Sequence, residues 1–118
     1  MVHRSLIRGF RQLVLWALGR RARFRVRGTS MEPWLSDGSF VLVDPRAYRR
    51  RAPRAGDVVL ARHPYERDLR LVKRVASEPK DSRVALVGDR AEASHDSRDF
   101  GTVPLADVMG QVVLKLSS

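Results

Sequence analysis

Leu69-Arg70-Leu71-Val72-Lys73-Arg74-Val75 is the stretch on which the fold turns. Its residues alternate with period two, the mark of a strand rather than a helix. Leu69, Leu71, Lys73 and Val75 fall on one face, and Arg70, Val72 and Arg74 on the other. The first face is otherwise apolar, so it is expected to turn inward and take Lys73 with it. Further runs rich in branched residues accompany this one: Phe24 and Val26 alternating with arginines, then Phe40–Val43, Val58–Ala61, Val84–Val87 and Val112–Leu116. Turn signals separate them at Ser36-Asp37-Gly38, Asp44-Pro45, Ala55-Gly56-Asp57, Glu78-Pro79 and Gly88-Asp89. Six short strands punctuated in this way predict a mainly β protein, a compact barrel or sandwich.

One segment has the other period. Leu6, Ile7, Phe10, Leu13, Val14 and Ala17 recur at helical spacing, Arg4, Arg8 and Arg11 lie to one side, and Gly19 is placed to stop the helix. Residues 5–18 are therefore expected to be an amphipathic helix. The apolar run Leu13–Leu18 is far shorter than the ~20 residues of a membrane span. Gly9 and Arg11 also break up the upstream part, so an export signal is not expected. Two placements stay open: docked on the protein, or lying in a membrane surface. The chain of 118 residues thus divides into an N-terminal helix, 1–20, and one β domain, 21–118.

Composition narrows the chemistry. There is no cysteine, which removes disulfides, thiol catalysis and cysteine-held zinc together. His3, His63 and His95 stand apart without metal-ligand spacing, and no metal or organic cofactor is expected. Lysine and arginine number 23 against 13 acidic residues, a formal charge of +10. Arginines gather before residue 28 and again at Arg46, Arg49, Arg50, Arg51 and Arg54. Such clusters suit phosphates on lipid or nucleic acid, and equally suit a solvated surface.

Three segments carry candidate chemistry. Ser30, in Gly28-Thr29-Ser30-Met31-Glu32-Pro33, is a loop serine, and a serine needs a base to become a nucleophile. Lys73 is the candidate base. A lysine serves only when neutral, so near pH 7 its proton affinity must fall about 1000-fold, or roughly 4 kcal/mol. Burial among Leu69, Leu71 and Val75 is the kind of environment that lowers it, unless the side chain snorkels to water. The third segment, Gly88-Asp89 to Arg98, is dense in polar groups: Asp96 and Arg98 can pair, and Ser94 can orient a neighbour. A Ser30–His95–Asp96 triad is disfavoured, because adjacent residues rarely face one partner.

Together these segments resemble the signal peptidase I family of Ser–Lys endopeptidases. Gly28-Thr29-Ser30-Met31-Glu32-Pro33-Trp34-Leu35 is similar to its nucleophile box, and Leu71-Val72-Lys73-Arg74-Val75 to its lysine box. Gly88-Asp89 with Ser94-His95-Asp96-Ser97-Arg98 is similar to its third box, and Gly56-Asp57-Val58-Val59 to the connecting element. The resemblance covers residues 24–113. It implies a signal-peptidase-like β fold, with Ser30 as nucleophile, Lys73 as base, Ser94 as the hydroxyl that orients the lysine, and Asp96 and Arg98 as a bracing pair. It implies an oxyanion site at the Ser30 N–H. Some family members add a hydroxyl two residues before the nucleophile, where this chain has Gly28. Trp34, Ser39 and Arg90 are further departures from the pattern.

Small size and the approach Arg62-His63-Pro64-Tyr65-Glu66-Arg67-Asp68-Leu69 resemble the nickel-type superoxide dismutase maturation proteases. That implies a precursor protein as partner and nickel belonging to the substrate; without an export signal the protein is expected in the cytoplasm or, through its helix, at the inner membrane surface. The rivals are a membrane-associated signal peptidase, a self-cleaving repressor-type domain, and an arginine-rich nucleic-acid binder with an inactive site. No helix-turn-helix precedes the β part, and specific nucleic-acid binding is not expected.

Overall fold

The computed structural model describes residues 2–90 and 95–116, with side chains from Leu6 onward. Helix α1 (Val2–Ala17) is followed by strands β1 (Ala22–Arg25), β2 (Phe40–Asp44), β3 (Val58–Arg62), β4 (Arg70–Val75), β5 (Arg83–Val84) and β6 (Leu86–Val87). The short helix α2 (Ser97–Phe100), β7 (Val103–Pro104), a 3-10 turn (Leu105–Asp107) and β8 (Val108–Lys115) complete the described chain. The expected helix starts earlier than 5 and ends at 17, where Gly19 takes a φ of +76° and its N–H donates to the Trp16 carbonyl.

Six strands form one antiparallel sheet in the order β1-β2-β8-β3-β4-β6, and β5 and β7 form a second ribbon. The last strand therefore lies at the centre, between β2 and β3. It also begins at Val108, four residues before the apolar run that predicted it. Gly110 explains both facts. A Cβ there would stand 2.6 Å from the Asp44 carbonyl oxygen and 2.7 Å from Val43 Cγ1. Only glycine lets β8 approach β2 so closely, and its lack of a side chain hides the strand from a hydropathy reading. Since β1 and β6 remain edges, the layout is the open, sandwich-like alternative and not a closed barrel.

Both faces of the sheet are covered. Val58 and Leu60 of β3 join one apolar cluster with Val26, Met31, Leu35 and Val41. Val59 and Ala61 join the other with Val75, Val84, Leu86 and Val103. The unbroken run Val58–Ala61 is what a strand buried on both sides requires. In β4, Lys73 pairs with Val59 and Leu71 with Ala61, so their side chains share the face of the second cluster. Val72 pairs with Leu60 and is buried in the first cluster, so the opposite face of β4 is not the polar one its arginines suggest. Leu69 precedes the strand and is 43% exposed; it does not share the inward wall expected of it.

Helix α1 is tied down by polar groups. Arg21 Nε donates to Gln12 Oε1 at 2.7 Å and its guanidinium reaches Asp44 of β2 at 3.5 Å, while Gly9 lies against Leu114 of β8. Leu6, Ile7, Phe10, Leu13 and Val14 stay exposed.

Candidate active site

The loop carrying Ser30 is anchored from both ends by burial. Met31 and Leu35, four residues apart, are almost fully enclosed in the first cluster, and the Leu35 N–H donates to the Met31 carbonyl at 2.9 Å. Upstream, Gly28 turns with φ +87°, and its N–H donates to Asp37 Oδ1 at 2.9 Å. The Glu32–Pro33 peptide bond is cis. Ser30, fixed between these anchors, is half-buried and faces a cleft of about 120 Å³. Among the described residues no acceptor takes the Ser30 N–H, so this donor is disposed to meet an incoming oxygen. Gly28 offers no second hydroxyl. Its left-handed backbone is one that a serine adopts only with strain.

Lys73 lines the same cleft as Ser30, with Phe24, Leu71 and Val72 forming its apolar wall. Its residue is only 4% exposed. Burial pushes its ammonium below the usual lysine range; Asp96 and Asp99 oppose that trend and Arg98 reinforces it. The two residues singled out from the sequence thus meet at one cleft, one with a hydroxyl and the other with a weakened hold on its proton.

Asp96 is fully buried and caps α2. Its carboxylate accepts from the Gly88 N–H at 2.9 Å, from the Arg98 N–H at 3.0 Å and from Arg98 Nε at 2.9 Å, with a further contact to the Arg98 terminal nitrogen. The expected Asp96–Arg98 pair is present and holds the start of the third segment to its end. Ser94 lies outside the described residues. The His95 side chain is 92% exposed and reaches toward Asp99 at 3.6 Å, while Asp96 is engaged with Arg98, so these two do not form a triad with Ser30.

Two residues at the site escaped the sequence reading. The Arg90 backbone N–H donates to the Ser30 carbonyl at 2.7 Å, and its side chain meets Glu32 at 3.3 Å. Arg74, one residue past Lys73, grips Asp89 through two hydrogen bonds of 2.8 and 2.9 Å, donates to the Gly56 carbonyl at 2.9 Å and lies over Trp34. The Ser30 loop, the strand of Lys73 and the third segment are therefore stitched together by Arg74 and Arg90. The signal for Arg74 was its alternation with Lys73, which puts it on the opposite face; the Arg90 contact runs through backbone and leaves no trace in residue type.

Comparison with known proteins agrees with this geometry. The family described as signal peptidase, peptidase S26, matches residues 13–85, a span that holds Ser30 and Lys73. The chain is 32% identical to mitochondrial inner membrane protease subunit 1 of Schizosaccharomyces pombe, over 75% of this chain and 69% of that protein. The proteins of the same name from Xenopus tropicalis and Mus musculus are 27% and 26% identical, each over 75% of this chain and 65% of their own length. The chain thus spans about two thirds of the length of these relatives. With the family match covering more than half of its residues, the chain belongs to the signal peptidase family, peptidase S26, a family of serine peptidases.

Proposed function

We propose that this protein is an endopeptidase that removes an N-terminal leader from a precursor protein, with Ser30 as nucleophile and Lys73 as base. The observation that carries this reading is the shared cleft: a half-buried serine and a buried lysine, its pKa lowered by burial, face the same small volume. Neutral Lys73 takes the proton of the Ser30 hydroxyl as Oγ attacks the scissile carbonyl. The Ser30 N–H donates to the oxyanion, and Lys73 passes its proton to the departing amine, leaving an ester on Ser30. A water deprotonated by Lys73 then attacks that ester, and Lys73 returns the proton to Ser30 Oγ as it leaves, releasing the new carboxyl terminus and restoring both residues. Ser94 serves as the hydroxyl that orients the lysine, and Asp96 with Arg98 as its brace. The substrate binds as an extended segment along a sheet edge. Its resemblance to the maturation proteases makes the precursor of a nickel-type superoxide dismutase the substrate of choice, with nickel carried by the product.

Helix α1 supports a peripheral seat on the cytoplasmic face of the inner membrane. No described helix is long and apolar enough to cross a membrane, yet Leu6 and Phe10 are about 70% exposed. The first 31 residues contain eight arginines and no acidic residue.

The deciding experiment is co-expression with such a precursor, its N-terminus read by mass spectrometry. Ser30→Ala, Lys73→Ala and Lys73→Arg should each abolish processing, the last because arginine keeps its proton at working pH. Full processing by Lys73→Arg would overturn the mechanism.

A further inference from the structure

We propose that the cleft of Ser30 and Lys73 selects peptide substrates with acidic side chains a short way from the bond that is cut. This deepens the peptidase reading and rests on it. The cleft continues into a second one of about 290 Å³, and the two share Phe24, Arg27, Leu69 and Arg70. Arg25 and Asp68 also line the second cleft. The floor is apolar and the lips are cationic: three arginines against one carboxylate.

The charge of these three arginines is not cancelled by a paired carboxylate, as it is for some arginines of the fold. Arg21, Arg51, Arg67, Arg74, Arg90 and Arg98 each lie against a carboxylate. Among the described residues Arg25, Arg27 and Arg70 have no such partner. Asp68 lines the same cleft without an ion pair to any of them, so it does not neutralise the lips. Unpaired charges of one sign above low-dielectric walls focus a field into the space between them. An extended peptide laid along that space puts alternate side chains on opposite sides, one set toward Phe24, Leu69 and Leu71 and the other toward the arginines. Carboxylates at the second set of positions meet Arg27 and Arg70.

The placement has a limit that follows from Lys73. A carboxylate brought next to its ammonium would strengthen its hold on the proton and disable it as a base. An acidic side chain is therefore favoured at residues removed from the scissile bond and rejected at the scissile residue itself.

The test measures binding and cleavage separately. The Ser30→Ala protein is titrated with two fluorescent decapeptides, one alternating alanine with glutamate and the other alanine with glutamine. Exposed ion pairs are individually weak, so the glutamate peptide is expected to bind about fivefold tighter at low salt, with the gap closing near ~1 M salt. The double variant Arg27→Gln/Arg70→Gln should erase the gap, whereas Arg49→Gln/Arg50→Gln, in a separate arginine cluster, should keep it. Because the gap is a ratio within each protein, partial misfolding of a variant does not imitate its loss. Equal affinity for the two peptides, or a gap that survives in the Arg27→Gln/Arg70→Gln protein, overturns the proposal. Wild-type cleavage of a peptide library is read alongside. Ser30-dependent cleavage without acidic bias rejects this inference and leaves the peptidase reading standing. Acid-biased binding without Ser30-dependent cleavage does the reverse.

Discussion

The N–H of Arg90 donates to the carbonyl of Ser30 at 2.7 Å, joining two segments sixty residues apart in the chain. Two residues upstream of Arg90, the Gly88 N–H donates to buried Asp96, and between them Asp89 is held by Arg74. The Ser30 loop is thus braced by a strap that is itself hung on Asp96 and on the arginine beside Lys73. Position at the cleft depends on polar contacts outside it.

That dependence predicts a large cost for Asp96→Ala. The change leaves the Gly88 and Arg98 N–H groups without their acceptor in a buried place and releases the Arg98 guanidinium. About 3 kcal/mol of stability should be lost, read as a lower midpoint in urea. Asp96→Asn, which keeps an acceptor oxygen, should lose less. Arg90→Ala keeps the backbone donor to Ser30 and gives up the exposed pair with Glu32, so it should cost clearly less than Asp96→Ala.

Lys73 should act against stability at neutral pH. Burial lowers its pKa in the folded chain, whereas the unfolded chain keeps a value near 10.5. Below the folded value both states carry the proton, and the full penalty for a buried ammonium applies. Between the two values the unfolded state binds more protons, so stability rises with pH, and above 10.5 the penalty is gone. Lys73→Met, similar in shape and uncharged, should therefore be more stable than the parent at pH 7 by about 1 kcal/mol while losing activity. The difference between the two proteins should shrink as pH climbs toward 10.5, measured by denaturant melts at several pH values. In the parent, peptidase activity should rise with pH on a limb lying below the ordinary lysine value.

Gly110 should tolerate no side chain. Gly110→Ala puts a methyl 2.6 Å from the backbone oxygen of Asp44, and backbone cannot swing aside as a side chain can. The β2–β8 register must give way, at a cost of about 2 kcal/mol or more. Thermal melts of the alanine variant against the parent measure it; an unchanged midpoint would mean that the two strands are not so closely apposed.

Much of this was legible in the residues. Alternation in 69–75 located β4 and turned Lys73 inward, and the apolar runs marked β2 and β3. The same alternation misjudged Val72, because a strand covered on both faces has no polar side to point outward. The start of β8, the strand β7 and the break that divides the expected strand Val84–Val87 into β5 and β6 were not legible. They are short or glycine-bearing, and their partners are chosen by the rest of the sheet rather than by local pattern. At the candidate site, Ser30 and Lys73, which share a cleft, and the Asp96–Arg98 pair could be singled out from chemistry and motif order. The brace from Arg90 could not, since a backbone N–H is common to every residue but proline.

The exposed face of α1 gives the last prediction. A helix folded only for its own domain would turn Leu6, Ile7, Phe10 and Val14 inward, yet α1 meets β8 through Gly9 and is linked to β2 through Gln12 and Arg21. Its apolar face is exposed, and the arginines around it are of the sign that anionic headgroups attract. The chain should sediment with vesicles containing phosphatidylglycerol and much less with neutral phosphatidylcholine ones. Phe10→Glu should weaken sedimentation at least tenfold, while its melting temperature stays within a degree or two of the parent because the side chain packs against little. Equal binding to both vesicle types, or a Phe10→Glu protein that sediments like the parent, would instead assign this face to a protein partner. A loss of thermal stability in Phe10→Glu would mean that the helix packs more deeply on the domain than its exposure indicates.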